Sequence, residues 1–356
     1  MGAKPIEISG RLIGTGQPVF LVAEVGVTCN GDIATALKLI DAAKEAGADS
    51  VKFQMINPNE FMSDKSVMYE YETTSGKRSE NMYEMLKGLR LGFTDWNIIS
   101  DYCRKKGIIF YNSVDSIGDV IMGDRLIPCW KISSWDLRNH PLLKKVARTG
   151  KPIQIDLGPA ILGEVVQLID TFHREGNDKL IFLHCSHASD ANQLNMRTIQ
   201  YLQEEFGILC GYSSDGRDCE ADKIAVCAGA CLIEKRLTLN VDQKQHHHAK
   251  ALNPDEFKEW VGVMRQFEAI MGDYAIKPSI EDIAMKNDYF TSLVFNCDVK
   301  KGEVITENHL CAKRPGSGMS PFYSYLLVGR VANRDFSENE IIDYEMVKCL
   351  TFGGGA

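Results

Sequence analysis

Short apolar runs recur through the first two thirds of the chain, and amphipathic segments separate most of them. Continuous apolar runs bounded by turn residues are typical of buried strands in a parallel sheet. The pattern predicts eight such strands: Val19–Val25, Ser50–Gln54, Gly107–Asn112, Pro128–Ile132, Pro152–Asp156, Leu180–Cys185, Ile208–Ser213 and Cys231–Lys235.

The segments between these strands have helical spacing and helical stop signals. Apolar residues recur on one face after Ala34, and Gly47 ends that segment. Helices are likewise predicted over Pro141–Thr149 and Gln193–Phe206, each followed by glycine. Eight strand–helix repeats favour an α/β fold of the (β/α)8 TIM-barrel type. An open doubly wound sheet is the alternative, but no G-x-G-x-x-G motif follows the first strand.

Near Asp273 the pattern changes. Residues 274–287 are predicted to form a linker, which separates a barrel domain at 1–273 from a small β-rich domain at 288–356. The β-like runs of that second domain are Ser292–Phe295, Glu303–Ile305, Tyr325–Val328 and Glu340–Ile342. Within the barrel, the long polar excursion from Asn57 to Arg90 is expected to be a lid or a substrate loop.

The composition narrows the function classes. The chain has 356 residues, 44% of them hydrophobic, and a net charge of -8, which does not indicate a nucleic-acid or membrane surface. No signal peptide is apparent, and the eleven cysteines are odd in number without a C-x-x-C pair. Reduced thiols and a cytoplasmic location are therefore expected. Cys185, at a strand end, is a weak candidate for a nucleophile.

Charged side chains end several of the predicted strands. Glu24, Lys52 and Lys131 each follow or close an apolar run. Because an unpaired buried charge is very costly, these groups should face a shared polar cavity. The carboxyl ends of barrel strands are where barrel enzymes hold their chemistry, so the pattern predicts an enzyme.

In these motifs the chain resembles the sialic acid synthase family along nearly its whole length. The segments that carry the resemblance are Ala23–Gly26, Asn30–Gly31, Ala46–Gln54, Lys131–Asp136, Asn139–Leu143, Gly150–Ile153, Leu183–Cys185, Gly211–Ser213, Ile233–Lys235 and Lys313–Gly318. The last of them lies in a C-terminal part that is similar to the family's antifreeze-like (SAF, β-clip) domain.

The resemblance implies an activity and a set of roles. Family members join phosphoenolpyruvate to the aldehyde of an N-acylated hexosamine, which gives a nine-carbon 2-keto acid and phosphate. The resemblance implies that four residues hold the donor's anionic groups, namely Lys52, Lys131, Ser134 and Ser213. Gln54 is expected to bind substrate beside them. Glu24 and Asp136 would order sugar and water and manage protons.

The resemblance also implies a homodimer with a swapped C-terminal domain. Arg314 is expected to reach the partner's barrel and bind the sugar. The alternative is that Arg314 is a surface cation beside a tight turn.

The departures from the family pattern concern its metal site. Asp215 and Arg236 stand where the resemblance expects the two metal-binding histidines, and a guanidinium cannot ligate a cation. Either Asp215 and His247 hold a rebuilt Mn²⁺ or Mg²⁺ site, or Arg236 replaces the metal. The run His246–His248 could also be an inconsequential solvated loop.

Other substrate positions differ as well. Asp156 replaces a phosphate-binding serine, His187 an asparagine, Ser189 a tyrosine and His247 a sugar-binding aspartate. The sequence thus predicts a phosphoenolpyruvate-dependent sugar-acid synthase with altered metal or substrate requirements and no organic cofactor. A phosphate-independent 2-keto acid aldolase or lyase, which Asp156 would favour, and a non-catalytic sugar-binding homologue are the alternatives.

Overall fold

In the computed structural model of the protein, residues 3–188 and 190–352 are described. Ser189, one of the departures above, lies outside them. The strands are β1 (Ile6–Ile8), β2 (Arg11–Ile13), β3 (Phe20–Gly26), β4 (Ser50–Met55), β5 (Met68–Thr73), β6 (Gly76–Asn81), β7 (Ile109–Val114), β8 (Trp130–Ile132), β9 (Ile153–Asp156), β10 (Leu180–Cys185), β11 (Leu209–Ser213), β12 (Leu232–Arg236), β13 (Ser292–Phe295), β14 (Leu310–Lys313), β15 (Arg330–Val331) and β16 (Thr351–Phe352).

The helices mostly follow the strands as crossover connections. They are α1 (Ile33–Ala46), α2 (Pro58–Phe61), α3 (Met82–Gly88), α4 (Phe93–Lys106), α5 (Ile117–Gly123), α6 (His140–Ala147), α7 (Leu162–Arg174), α8 (Thr198–Phe206), α9 (Glu220–Cys227), α10 (Pro254–Met271), α11 (Ile280–Tyr289) and α12 (Tyr344–Lys348). None of the described helices is long and apolar enough to cross a membrane.

Eight parallel strands close into a barrel in the order β3, β4, β7, β8, β9, β10, β11, β12 and back to β3. Each strand predicted from an apolar run overlaps one of these eight, with ends that differ by at most two residues. All seven residues of β3 are buried, as expected for a strand with packing on both faces. The predicted TIM-barrel fold is confirmed.

Local signals explain where the first crossover helix begins and ends. The Asp32 side chain caps α1 by accepting a hydrogen bond from the Thr35 backbone N–H. Gly47 closes α1 in the left-handed conformation, with φ of 88°, which glycine adopts without steric cost. The chain is thereby returned to the sheet in time for β4.

The excursion between β4 and β7 folds into a β-hairpin, β5–β6, followed by α3. The Tyr71 hydroxyl donates to the Lys244 carbonyl oxygen at 3.2 Å, and Arg78 Nη1 donates to the same oxygen at 3.1 Å. The hairpin is thereby attached to the loop that follows β12. A lid role for it stays a prediction.

Contacts divide the chain into two compact units, residues 1–273 and 274–356. The second unit contains the two-stranded pairs β13–β14 and β15–β16 around its own apolar core, with Phe295 and Phe336 stacked at 4.5 Å. Within 274–287, the expected linker, the chain forms the first part of α11.

One β-like run of the second unit was wrongly predicted. Tyr325–Val328 begins inside a 3-10 helix over Pro321–Leu326, because Ser320 caps its start and Pro321 fixes the helical φ. Ser292–Phe295 does form β13. Glu303–Ile305 and Glu340–Ile342 contribute only single β-bridges, at Val304 and Ile341.

Candidate active site

Charged side chains from five barrel strands form one connected network at the carboxyl edge of the barrel. The Lys52 ammonium lies 3.0 Å from Glu24 Oε1 and 3.2 Å from Glu234 Oε1. The Lys131 ammonium lies 2.9 Å from Glu234 Oε2 and 2.8 Å from Asp156 Oδ1. Glu234 therefore bridges the two lysines with its two oxygens. Lys131 is almost completely buried, with 1% of its side chain exposed.

Glu234 is the central member of this network, although it was not among the site residues predicted from the sequence. Side chains alternate along β12, so Glu234 and Arg236 share the inner face while Lys235 points outward. Lys235 instead pairs with Asp222 of α9 at 2.8 Å. The signal for Glu234 was present in the sequence as a charge two positions before Arg236 on a predicted strand.

Arg236 extends the network toward Glu24 and a second carboxylate. Its Nε lies 3.5 Å from Glu24 Oε2, and its Nη1 donates to Asp215 Oδ1. Lys250 donates to the other Asp215 oxygen, and His187 Nδ1 lies 3.8 Å from it. The position expected to hold a metal ligand is thus filled by an ion pair between Asp215 and two cations.

The network shifts the ionisation of its acids in opposite directions. Burial opposes the charge of Glu234, but Lys131 and Lys52 outweigh it and lower the pKa of Glu234. Burial raises the pKa of Asp156, and the charge of Lys131 only partly offsets this because Glu234 shares that ammonium. Burial also opposes the charge of Asp215, yet His187, Arg236 and Lys250 together lower its pKa.

The two serines predicted to bind the donor lie at the carboxyl ends of β8 and β11. Ser134 is buried at the start of a 3-10 turn, Ser134–Asp136, that follows β8. Gly158 approaches it so closely that an added Cβ would lie 2.6 Å from Ser134 Cβ. Ser213 ends β11, paired in register with Glu234 and Cys185, and is partly exposed.

A separate acidic group lies at the ends of β4 and β7. Gln54 Nε2 donates to Asp115 Oδ2 at 3.4 Å, and Asn139 Nδ2 donates to Asp136 Oδ1 at 3.3 Å. Burial, followed by the charge of Asp136, raises the pKa of Asp115 well above its usual range. Burial also raises the pKa of Asp136. Asp136 therefore belongs with Asp115, which the sequence analysis did not single out, rather than with Glu24.

The three consecutive histidines have three different environments. His246 packs edge-on against Tyr69 and Tyr71, with both ring centroids at 5.1 Å. His248 is fully buried, with Nδ1 2.6 Å from Thr238 Oγ1 and Nε2 3.0 Å from Asn30 Oδ1. The run is therefore an ordered part of the fold.

His247 adopts a left-handed backbone with φ of 77°, and its ring packs at a tilt against His246, with the ring centroids 3.7 Å apart. Burial, then the charges of His246, Arg236 and Lys52, lower the pKa of His247 well below its usual range. His247 is thus neutral and close to the basic groups. No group of three or more His, Cys, Asp or Glu side chains in the described residues is placed to hold a metal ion.

Cys185 and a neighbouring cavity complete the mouth. Burial raises the pKa of the Cys185 thiol to about 12, which opposes its use as a nucleophile near neutral pH. All eleven cysteines are free. A cavity of about 760 Å³ runs from Cys185 and His187 past Trp135 to Tyr201, with mainly apolar walls.

Arg314 lies in the second unit, where its Nε donates to the Tyr289 carbonyl oxygen at 2.8 Å. Its side chain is exposed. The expected contact with a partner's sugar site stays a prediction.

Comparison with known proteins assigns the family. A NeuB family model matches residues 39–275, and a SAF domain model matches residues 290–348. The chain belongs to the NeuB family. The expected resemblance to sialic acid synthases and the antifreeze-like C-terminal domain are thereby confirmed.

Relatives with assigned activities share nearly the whole chain. An N,N'-diacetyllegionaminic acid synthase of Campylobacter jejuni is 32% identical over 92% of this chain and 99% of its own. A pseudaminic acid synthase of the same species is 31% identical over 90% and 94%. A solved N-acetylneuraminic acid synthetase of Leptospira borgpetersenii has a TM-score of 0.71 at 25% identity, over 81% of this chain and 98% of that one. The predicted enzyme class, a synthase of the sugar-acid type, is confirmed at the level of the family.

Proposed function

We propose that this chain condenses phosphoenolpyruvate with the aldehyde of an N-acylated hexosamine to give a nonulosonic-type 2-keto acid and phosphate. The observation that carries the proposal is the pair of buried ammonium groups, Lys52 and Lys131, at the barrel mouth. A donor with a phosphate and a carboxylate needs such a set of charged hydrogen-bond donors.

The chemistry balances with water as the third reactant. C3 of the donor forms a bond to the aldehyde carbon, and the carbonyl electron pair moves to oxygen, which takes a proton. Water adds at C2 of the donor, its protons are released, and the bond between C2 and the phosphate oxygen breaks. The products are the 2-keto acid and inorganic phosphate.

Each side of the mouth supports one part of this reaction. We assign Lys52 and Lys131 to the donor's anionic oxygens, with Ser134 and Ser213 beside them. We assign Glu24 to orientation of acceptor and water, since it already contacts both Lys52 and Arg236. Asp136, with Asp115, would supply and take up protons, because the raised pKa values of both carboxyl groups favour a proton held by the pair.

Asp156 imposes a condition on donor binding that a serine at this position would not impose. Asp156 forms an ion pair with the Lys131 ammonium. An incoming phosphate must therefore displace the Asp156 carboxylate or bind while that carboxylate is protonated. Its raised pKa makes protonation the less costly route. We therefore expect donor affinity to fall as pH rises and Asp156 ionises.

The remaining assignments follow from the relatives and the composition. We propose an acceptor with N-acyl groups, because the related synthases are named for diacetylated legionaminic acid and for pseudaminic acid. We also propose that His187 and His247 contact this sugar, and that a swapped homodimer brings Arg314 to it. The free cysteines support a cytoplasmic location.

A second candidate function is a 2-keto acid aldolase or lyase that uses no phosphate. The ion pair between Lys131 and Asp156 favours this second function, because a donor without phosphate does not have to displace Asp156. One experiment separates the two. The protein is mixed with a panel of N-acylated hexosamines and either phosphoenolpyruvate or pyruvate, and phosphate and the sugar-derived 2-keto acid are measured together. Equal amounts of both, dependent on the sugar, are expected. Formation of 2-keto acid from pyruvate without phosphate release would instead establish the aldolase.

A further inference from the structure

The ion pair between Asp215 and Arg236 stands where the resemblance implies a divalent metal. Both Asp215 oxygens already accept from cations, Oδ1 from Arg236 and Oδ2 from Lys250. A metal ion at Asp215 would have to displace both and then lie beside a guanidinium that cannot ligate it. The residues do not fit the ion.

The same contacts hold Arg236 as a fixed cation inside the mouth. Asp215 binds Nη1 from β11's end, and Glu24 Oε2 lies 3.5 Å from Nε on β3. Two carboxylates from two elements thus fix the plane of the guanidinium. Only 16% of the side chain is exposed, so its charge is weakly screened by water. Nη2 has no hydrogen-bond partner among the described residues and can donate to a ligand.

We propose that the Arg236 guanidinium takes the role of the metal: it binds the acceptor's aldehyde oxygen, and the enzyme turns over without a divalent cation. This rests on the proposed function. As C3 of the donor bonds to the aldehyde carbon, negative charge develops on the aldehyde oxygen. A preorganised cation at that oxygen stabilises the transition state until a proton arrives. Arg236 is then a catalytic residue, and Asp215 is a positioning residue that orients it.

The first measurement is independent of catalysis. Mn²⁺ is titrated into the chelator-dialysed wild-type protein, with binding followed by calorimetry and by the electron paramagnetic resonance signal of free Mn²⁺. No binding at the mouth is expected. Stoichiometric binding that disappears in Asp215→Ala would overturn the proposal.

The second measurement replaces the ion pair between Asp215 and Arg236 with a pair of histidines. The double variant Asp215→His with Arg236→His restores the two-histidine pair and should bind Mn²⁺ where the wild type does not. Phosphate release by the wild type should be unchanged by chelator, whereas release by the double variant should require added Mn²⁺. A wild-type enzyme that chelator inactivates and Mn²⁺ restores would contradict the account.

A smaller variant tests Arg236 itself. Arg236→Ala should lose about 100-fold or more in kcat, and free guanidinium ion should partly restore it. Lys250→Ala is the control, since it removes a cation from Asp215 but leaves Arg236 in place. If no sugar supports phosphate release, the proposed function fails, and the Mn²⁺ titrations still decide whether this pair excludes a metal.

Discussion

Two sides of the barrel mouth have opposite electrostatic character. We call the basic side the network of Lys52, Lys131 and Arg236 with Glu24, Glu234 and Asp156, and the acidic side the group of Gln54, Asp115 and Asp136. On the basic side every carboxylate lies within 3.5 Å of a cation. On the acidic side Asp115 and Asp136 lie beside each other, and the other partners described for them are amides, Gln54 and Asn139.

This difference determines which acids keep their protons. Glu234, between two lysines, has a lowered pKa, whereas Asp115, buried beside Asp136, has a raised one. A place at the end of a barrel strand therefore does not set protonation. The balance between burial and the charges of the partners does, and Asp156, which shares Lys131 with Glu234, has a raised pKa on the basic side as well. The basic side suits an anionic donor, and the acidic side suits a group that exchanges protons.

The largest expected effect comes from removing a cation of the basic side. Lys131→Ala should lower kcat/KM for phosphate release by about 1,000-fold, because the transition state loses a buried charge. The variant should also be less stable, since Asp156 and Glu234 then face each other without an ammonium.

Lys235 provides the matched control for this variant. It is equally buried and also lies 2.8 Å from a carboxylate, Asp222, but it points away from the mouth. Lys235→Met should lower the melting temperature while the remaining folded protein keeps its activity. Equal loss of specific activity in both variants, measured on the folded fraction, would mean that Lys131 is structural only.

The next effect concerns the acidic side. Asp136→Asn should reduce kcat by about 100-fold through loss of proton transfer. The dissociation constant of the donor, measured by calorimetry, should stay unchanged because the basic side is intact. Donor affinity that falls in parallel with kcat would place Asp136 in the donor site and remove the distinction between the two sides.

Asp156 tests the charge balance of the basic side. Asp156→Ser frees Lys131 and should tighten donor binding about tenfold, equivalent to about 1.4 kcal/mol. In the wild type, the donor's dissociation constant should rise with pH as Asp156 ionises, and the serine variant should lose that slope. Unchanged affinity at high pH in the variant would show that Asp156 does not compete with the donor.

The smallest effect is on stability. The raised pKa of Asp115 means that the unfolded chain releases this proton at a lower pH than the native protein does. Stability contributed by this group is therefore lost as pH rises above its unfolded value near 3.8. Asp115→Asn removes that loss. The melting temperature of the variant minus that of the wild type should therefore increase between pH 4 and pH 7, by about 2–4 °C for each kcal/mol of difference in stability. A difference that does not change with pH would contradict the raised pKa.

The fold could be predicted from the sequence more completely than the candidate site could. Apolar runs ending in Glu24, Lys52 and Lys131 were enough to predict the barrel and its mouth, because strand burial and strand-end charge are local signals. The bridge made by Glu234 joins β4, β8 and β12, and only closure of the barrel brings those strands together.

Three further features could not be derived from sequence. The approach of Asp115 to Asp136 depends on how the turn after β8 packs against the end of β7. The environment of the three histidines depends on the β5–β6 hairpin, whose Tyr69 and Tyr71 pack against His246. In the second unit, Tyr325 was taken for a strand residue because a hydrophobic run alone does not distinguish a short strand from a capped 3-10 turn.

The most direct test of the account is a crystal structure of the protein with phosphoenolpyruvate bound. We predict that the donor's phosphate and carboxylate oxygens lie within about 3 Å of the Lys52 and Lys131 ammonium groups, with Asp156 displaced or protonated. A donor bound instead in the cavity beside Trp135 and Tyr201, with both lysines still held by Glu234, would contradict it.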